Sequence, residues 1–155
     1  MHFTGTTNEF LELRELAAAE AALLGEAFPN GLRIIWNTAD VLELRVDGQL
    51  IPLRRNQLIF LTEHHRVEPV RVEACRFVRF NRPFFCVIER DSEVGCKGIL
   101  FFGAAELPVL TIEPVEQEKF DILRRMFSLE MRSPDSMQKE MLHMMLRRLL
   151  ILCTR

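Results

Sequence analysis

Tyrosine is absent from this 155-residue chain, tryptophan occurs once, as Trp36, and the other 12 aromatic residues are phenylalanines. Long apolar runs are missing too. Stretches such as Leu149-Leu150-Ile151-Leu152-Cys153 fall far short of the roughly 20 residues a membrane-spanning helix needs. The alanine-rich beginning carries Glu9, Glu12, Arg14, Glu15 and Glu20, which would spoil the apolar segment of a secretory signal. No sign of charge dominates: 20 Lys and Arg stand against 22 Asp and Glu, a net charge of −2. That balance excludes a generic polycation, because non-specific phosphate binding needs a net basic face. Cysteine is scarce, with Cys75, Cys86, Cys96 and Cys153 and no CxxC pair, and a core of this size needs no disulfide staples. A soluble cytoplasmic chain with no membrane partner is expected. Phosphate loop, dinucleotide fingerprint, GxSxG elbow, HExxH, internal repeat and low-complexity tract are all lacking.

What is present is enough apolar sequence, 48%, for a sizeable core. Residues 1–30 read as a helical extension. Thr6-Thr7-Asn8-Glu9 has the form of a capping box. Phe10, Leu13, Leu16, Ala17, Leu24 and Phe28 recur near helical spacing, and Pro29-Asn30-Gly31 ends the run.

Across 31–113 the period is two. Leu42, Leu44 and Val46 alternate with Glu43 and Arg45, and Asp47-Gly48 suits a two-residue hairpin turn. The return strand is about Leu50–Leu53, and Leu58–Leu61 is a short buried strand. Val70 to Phe80 forms the longest alternating run, with mostly even positions apolar and one face inside. Phe84–Ile88 and Ile99–Phe102 add two short strands around a polar loop, so a sandwich or small barrel is expected.

Over 114–155 the helical period returns. Phe120, Leu123 and Phe127 share a stripe, with Ile122, Met126 and Leu129 beside it, and Ser133-Pro134-Asp135-Ser136 separates a second helix. Met141, Leu142, Met145, Leu146 and Leu149 give that last helix an apolar face too wide for one neighbour. A homodimer through these side chains is the expectation.

Few groups carry chemistry. His64-His65, Cys86 and the loop Glu89–Gly98 with Glu93 and Cys96 supply metal-ligand residue types, but at spacings that do not make a site. Adjacent histidines on a strand point to opposite faces, and hydrogen-bonded rim residues are the plainer reading. Asp91, Ser92, Gly95 and Gly98 suit turns. Trp36 reads as a core side chain or a ligand platform. The methionines from Met126 onward read as helix packing.

Taken together, Gly31-Leu32-Arg33-Ile34-Ile35-Trp36-Asn37-Thr38-Ala39-Asp40, the Asp47-Gly48 hairpin, Asn56 to His65, and Arg79 through Phe102 resemble the N-terminal sensor half of AraC-type transcriptional regulators, in a Bacteroidetes-type branch. The resemblance covers about residues 31–155. It implies a cupin-like β-barrel (double-stranded β-helix) that holds a small effector, followed by an antiparallel helix pair that makes the dimer. DNA binding would belong to a C-terminal helix-turn-helix part that this sequence does not contain. Enzymatic cupins carry an HxH pair and a glutamate in their first motif. Trp36–Val46 has no histidine, and only His65 sits where a second-motif histidine is expected. The family pattern thus argues against a metal cofactor and against an enzyme.

The leading expectation is an effector-sensing and dimerisation domain without cofactor. Trp36, Leu44, Phe60, Val72 and Phe80 would line the barrel, with His65, Glu93 and Cys96 at its mouth. The rivals are a small metal-dependent cupin enzyme and a dimerisation module whose barrel is filled by its own phenylalanines.

Overall fold

Strands that are apolar at even and odd positions alike must bury both faces, and the central strands of this chain do so. The computed structural model describes residues 1–86, 100–101 and 106–154. Its strands are β1 (His2–Thr4), β2 (Phe10–Ala17), β3 (Gly31–Asn37), β4 (Val41–Val46), β5 (Gln49–Arg54), β6 (Gln57–Thr62), β7 (Val67–Arg71), β8 (Ala74–Asn81) and β9 (Val109–Thr111). Helices α1 (Gln117–Glu130) and α2 (Gln138–Thr154) follow. Described pairings are antiparallel and build a six-stranded sheet, β1-β2-β8-β3-β6-β9, and a three-stranded sheet, β5-β4-β7. The molecule is mainly β, with antiparallel sheets and two C-terminal helices.

Alternation places the two cores. Ile34 and Trp36 of β3, Leu58 and Phe60 of β6, and Phe80 of β8 face the helices. Ile35, Ile59, Leu61, Cys75 and Phe77 from the same strands face the smaller sheet, where Leu42, Leu44, Val46, Leu53 and Val67 meet them. The six-stranded sheet is therefore the middle of three layers. The hairpin expected at Asp47-Gly48 is present, with both residues at positive φ, 50° and 86°.

Residues 1–30 depart from expectation: they form no α-helix. Two strands and a 3-10 helix, Ala18–Gly25, stand there instead. Leu11, Leu13 and Leu16 satisfy a strand as readily as a helix. β2 is fixed by its partner β8, where Glu12 lies opposite Arg79 and Glu15 opposite Arg76. The Glu12–Arg79 contact is 2.5 Å and Glu15–Arg76 is 3.6 Å. Opposite charges directly across a ladder reinforce the register. Thr6–Glu9 makes a turn between strands, in which the Glu9 carboxylate accepts the Thr7 N–H at 2.8 Å.

The run Val70–Phe80 is also not one strand. It divides into β7, which joins β4, and β8, which joins β2 and β3, so the chain changes sheets near Val72. Its buried residues fall on both parities because both faces of β8 are covered. Phe84 and Phe85 lie in a turn, with both amides donating to the Asn81 carbonyl at 3.0 Å, and are not a strand. Most of the loop expected at Glu89–Gly98 and of the strand expected at Ile99–Phe102 lies outside the described residues.

The helix pair follows expectation in position. Phe120, Leu123 and Phe127 are the buried stripe of α1. Asp135 accepts the Met137 N–H at 2.7 Å ahead of α2. The wide apolar face of α2, however, is consumed within the chain. Leu142, Met145, Leu146 and Leu149 are buried in the helix-side core, with Met141 packed against it. The second surface that this face requires is the chain's own: α2 packs with Phe84, Phe85 and Phe101 as well as with the sheet and α1. The expected dimer side chains are thus internal. Apolar groups left outside on the helices are Ile122, Met126 and Leu129 of α1 and Met144 of α2.

Candidate functional site

The helix layer does not close completely on the sheet. Between β2, β8 and β3 on one side and α1 on the other lies an open cleft of about 410 Å³. Its apolar walls include Leu13, Trp36, Val78, Phe120, Leu123 and Phe127, and its charged rim holds Arg14, Glu15, Glu20, Arg76, Arg124 and Arg132. Strand alternation explains the mixture. Arg76 shares the helix-facing side of β8 with Val78 and Phe80, and sits directly opposite Trp36 of β3.

Trp36 is the centre of this geometry. Its ring meets Phe120 edge to face at 5.7 Å, and the Arg76 guanidinium lies over the indole at 4.3 Å. Arg76 also pairs with Asp121 of α1 at 3.0 Å and with Glu15 of β2 at 3.6 Å, so one side chain links strand, strand and helix. Arg124 reaches the same Glu15 at 3.2 Å. Arg14 is loosely placed between Glu12 and Glu20, at 3.8 and 3.9 Å. Two donors of this site are left over: among the described residues, the indole Nε1 of Trp36 and the Nε of Arg124 are buried without a hydrogen-bond partner. A stacked cation contributes about 1 kcal/mol, whereas a buried unsatisfied donor costs roughly 1–3 kcal/mol. The indole is therefore not compensated by Arg76 alone.

The structure separates the residues expected to line one barrel. Trp36, Phe60 and Phe80 point to the helices, while Leu44 and Val72 belong to the core between the sheets. That inter-sheet core is filled by aliphatic side chains, Cys75 and Phe77, and burial pushes the Cys75 thiol up to about 12. Phe60 and Phe80 pack edge to face on Phe101, at 5.5 and 6.2 Å, and do not line the cleft.

His65 lies in the turn after β6, outside the cleft, and lines a second cavity of about 540 Å³ with Val46, Ile51 and Leu107. Its Nδ1 accepts the Thr62 N–H at 2.9 Å, and its backbone carbonyl accepts from buried Arg33 at 2.9 Å. Burial lowers its pKa. It therefore serves the turn as a hydrogen-bonded residue. His64 is largely exposed. Glu93 and Cys96 lie outside the described residues. Among the described residues no three His, Cys, Asp or Glu side chains converge as a metal site, and no helix is long and apolar enough to cross a membrane.

Sequence reasoning singled out Trp36 but missed its neighbours. Glu15, Arg76 and Arg124 come from three segments far apart in sequence, and no local spacing joins them. Their alternation with apolar residues on strands and helix was the available signal, and it is shared by every half-buried element.

No family model and no curated protein matches the chain. Among solved structures it is similar to the Clostridium difficile EutQ protein, with 17% identity, over 50% of this chain and 71% of that one, at a TM-score of 0.29. A likeness that slight bears on neither ligand nor activity.

Proposed function

We propose that this chain is the effector-sensing and dimerisation domain of an AraC-type transcriptional regulator, built on a cupin-like arrangement of sheets. DNA contact would belong to a helix-turn-helix part not contained in this sequence. The observation that carries the reading is the position of the cleft. A molecule held there touches Trp36 of the sheet and Phe120 of α1 together, so its binding energy depends on how the helix layer sits. A ligand shifts an equilibrium only through such differential contact.

The effector site in this reading lies between sheet and helices, because that cleft touches both layers at once. Dimer contact falls to the apolar side chains that the fold leaves outside, Ile122, Met126 and Leu129. Native mass spectrometry tests both halves, since it counts subunits and weighs bound molecules. The expected result is a dimer that Leu129→Asp converts to a monomer. A wild-type chain that stays monomeric at every concentration overturns dimerisation. One metal ion per chain would instead favour the metal-dependent cupin enzyme.

The filled inter-sheet core supports a second reading, a dimerisation module with no ligand. It requires that no small molecule raise the melting temperature, whereas a true effector stabilises the native state by mass action.

A further inference from the structure

The cleft also specifies what it would hold. We infer that it takes a small carboxylate with a planar apolar body, the carboxylate entering at Arg124 and Arg132 in competition with Glu15. This deepens the sensing reading above and rests on it for the cleft's purpose, though not for its chemistry.

Charge selects the class. Arg76 is committed to Asp121, Glu15 and the face of Trp36, and Arg14 lies between Glu12 and Glu20. Among the described residues Arg124 has one ion pair, with Glu15, and keeps a buried Nε without a partner. Arg132 makes no ion pair among the described residues and stands exposed on the rim. Cationic capacity is therefore left on the α1 side of the cleft.

Glu15 shows where an anion sits. Its carboxylate lies 3.6 Å from Arg76 and 3.2 Å from Arg124, yet the side chain is 67% exposed. An exposed carboxylate is held weakly in such a bridge. A ligand carboxylate whose body is buried in the same cleft would take its place, leaving Glu15 to swing into water. The body of the ligand is specified by the walls. Trp36 is only 6% exposed and its Nε1 donor is unpartnered, while Phe120 and Phe127 offer flat apolar contact. A flat apolar ring would cover Trp36, Phe120 and Phe127.

Trp36 makes the test direct, because the one indole of the chain gives one N–H cross-peak. The 15N-labelled full chain would be titrated with 4-phenylbutyrate and with uncharged 4-phenyl-1-butanol. The expected result is a shift of the Trp36 signal with the carboxylate, and binding of the alcohol weaker by about tenfold or more. Glu15→Gln should tighten carboxylate binding and Arg124→Gln should weaken it. Arg132→Gln, at an exposed position, gives the same weakening without risk to packing. Equal affinity for both probes overturns the inference, as does a Trp36 signal that neither moves. Methyl signals of Met126 and Met144 on the outer faces of the helices separate the two ideas. Carboxylate binding that leaves those methyls still keeps the ligand class and removes sensing. Movement of Trp36 and the methyls by the alcohol alone does the reverse.

Discussion

The two cores on either side of the six-stranded sheet share strands β3, β6 and β8 but differ in how they are closed. Toward the smaller sheet, short aliphatic side chains from two pleated surfaces interdigitate and fill the space. Toward the helices, phenylalanines and Trp36 meet rods that touch the sheet along lines, and a cleft remains beside α1. Between the sheets the centre is packed, and a cavity of about 540 Å³ lies at the edge of the smaller sheet beside Val46, Ile51 and His65. The same sheet covered by helices makes a place where a ligand and a movable element can meet.

The largest effect that would test this contrast concerns α2. Leu146 is fully buried on the helix side, while Leu129 of α1 is 66% exposed. Leu146→Asp, alone or with Leu149→Asp, should cost more than about 4 kcal/mol and leave the chain unfolded or insoluble. Leu129→Asp should stay within about 0.5 kcal/mol in the isolated protomer. Denaturant titration of both variants reads the difference. A folded, soluble Leu146→Asp would mean that this face is not core, and the wide apolar surface of α2 would again need a partner.

A smaller difference should separate the cores themselves. Leu44 is fully buried between the sheets, whereas Leu123 is buried on the cleft wall. Leu44→Ala should fall in the upper part of the usual range of about 2–5 kcal/mol, because the sealed void keeps its full cavity cost. Leu123→Ala opens space that is continuous with an existing cleft, so its cost should lie near the lower end, about 2 kcal/mol. Equal losses in a denaturant titration would show that the cleft is closed by motion in solution.

These differences explain which parts of the fold were legible in the sequence. Strands β4 to β6 were readable because Asp47-Gly48 sets a turn, Leu42, Leu44 and Val46 alternate, and Leu58–Leu61 is a short apolar run. The inward face was not readable, since Ile34-Ile35-Trp36 and Leu58-Ile59-Phe60-Leu61 are apolar on both parities. A one-residue change of parity sends Trp36 from one core to the other. β2 was misread because its leucines fit either period, and the deciding partners, Arg76 and Arg79, lie more than 60 residues away. The apolar excess of α2 was legible as a need for a second surface. The identity of that surface was not, because Phe84 and Phe85 leave their strand pattern to make a turn beneath it. Trp36 was legible as a platform residue, but Arg76, Glu15 and Arg124 meet it only through tertiary pairing.

The smallest predicted effect sharpens the comparison through pH. Each layer is tied to the central sheet region by a buried charge, but the two charges respond differently to acid. Toward the smaller sheet, Arg33 donates to the carbonyls of Leu24, Thr62 and His65 at 3.2, 3.0 and 2.9 Å. A guanidinium with carbonyl partners has nothing to protonate as pH falls. Toward the helices, Lys139 of α2 pairs with Glu9 of the β1–β2 turn. That contact, with the Thr7 N–H, holds the Glu9 carboxyl at about 2, well below its ordinary 4.5. A carboxyl depressed on folding adds stability that is complete above the unfolded value and is lost as pH falls from about 4.5 toward 2. Acid between about 4.5 and 2 should therefore loosen the helix layer. The turn that holds Arg33 responds at higher pH, because the lowered His65 pKa makes its protonation cost stability below the ordinary 6.5. Trp36 fluorescence, which reports the helix side, should follow the Glu9 window, from about 4.5 toward 2. Glu9→Gln removes the titrating partner, so its helix-side stability should be lower at neutral pH and flatter across this window. Coincident acid transitions in wild type and Glu9→Gln would show that the Lys139 tie does not govern how α2 is held.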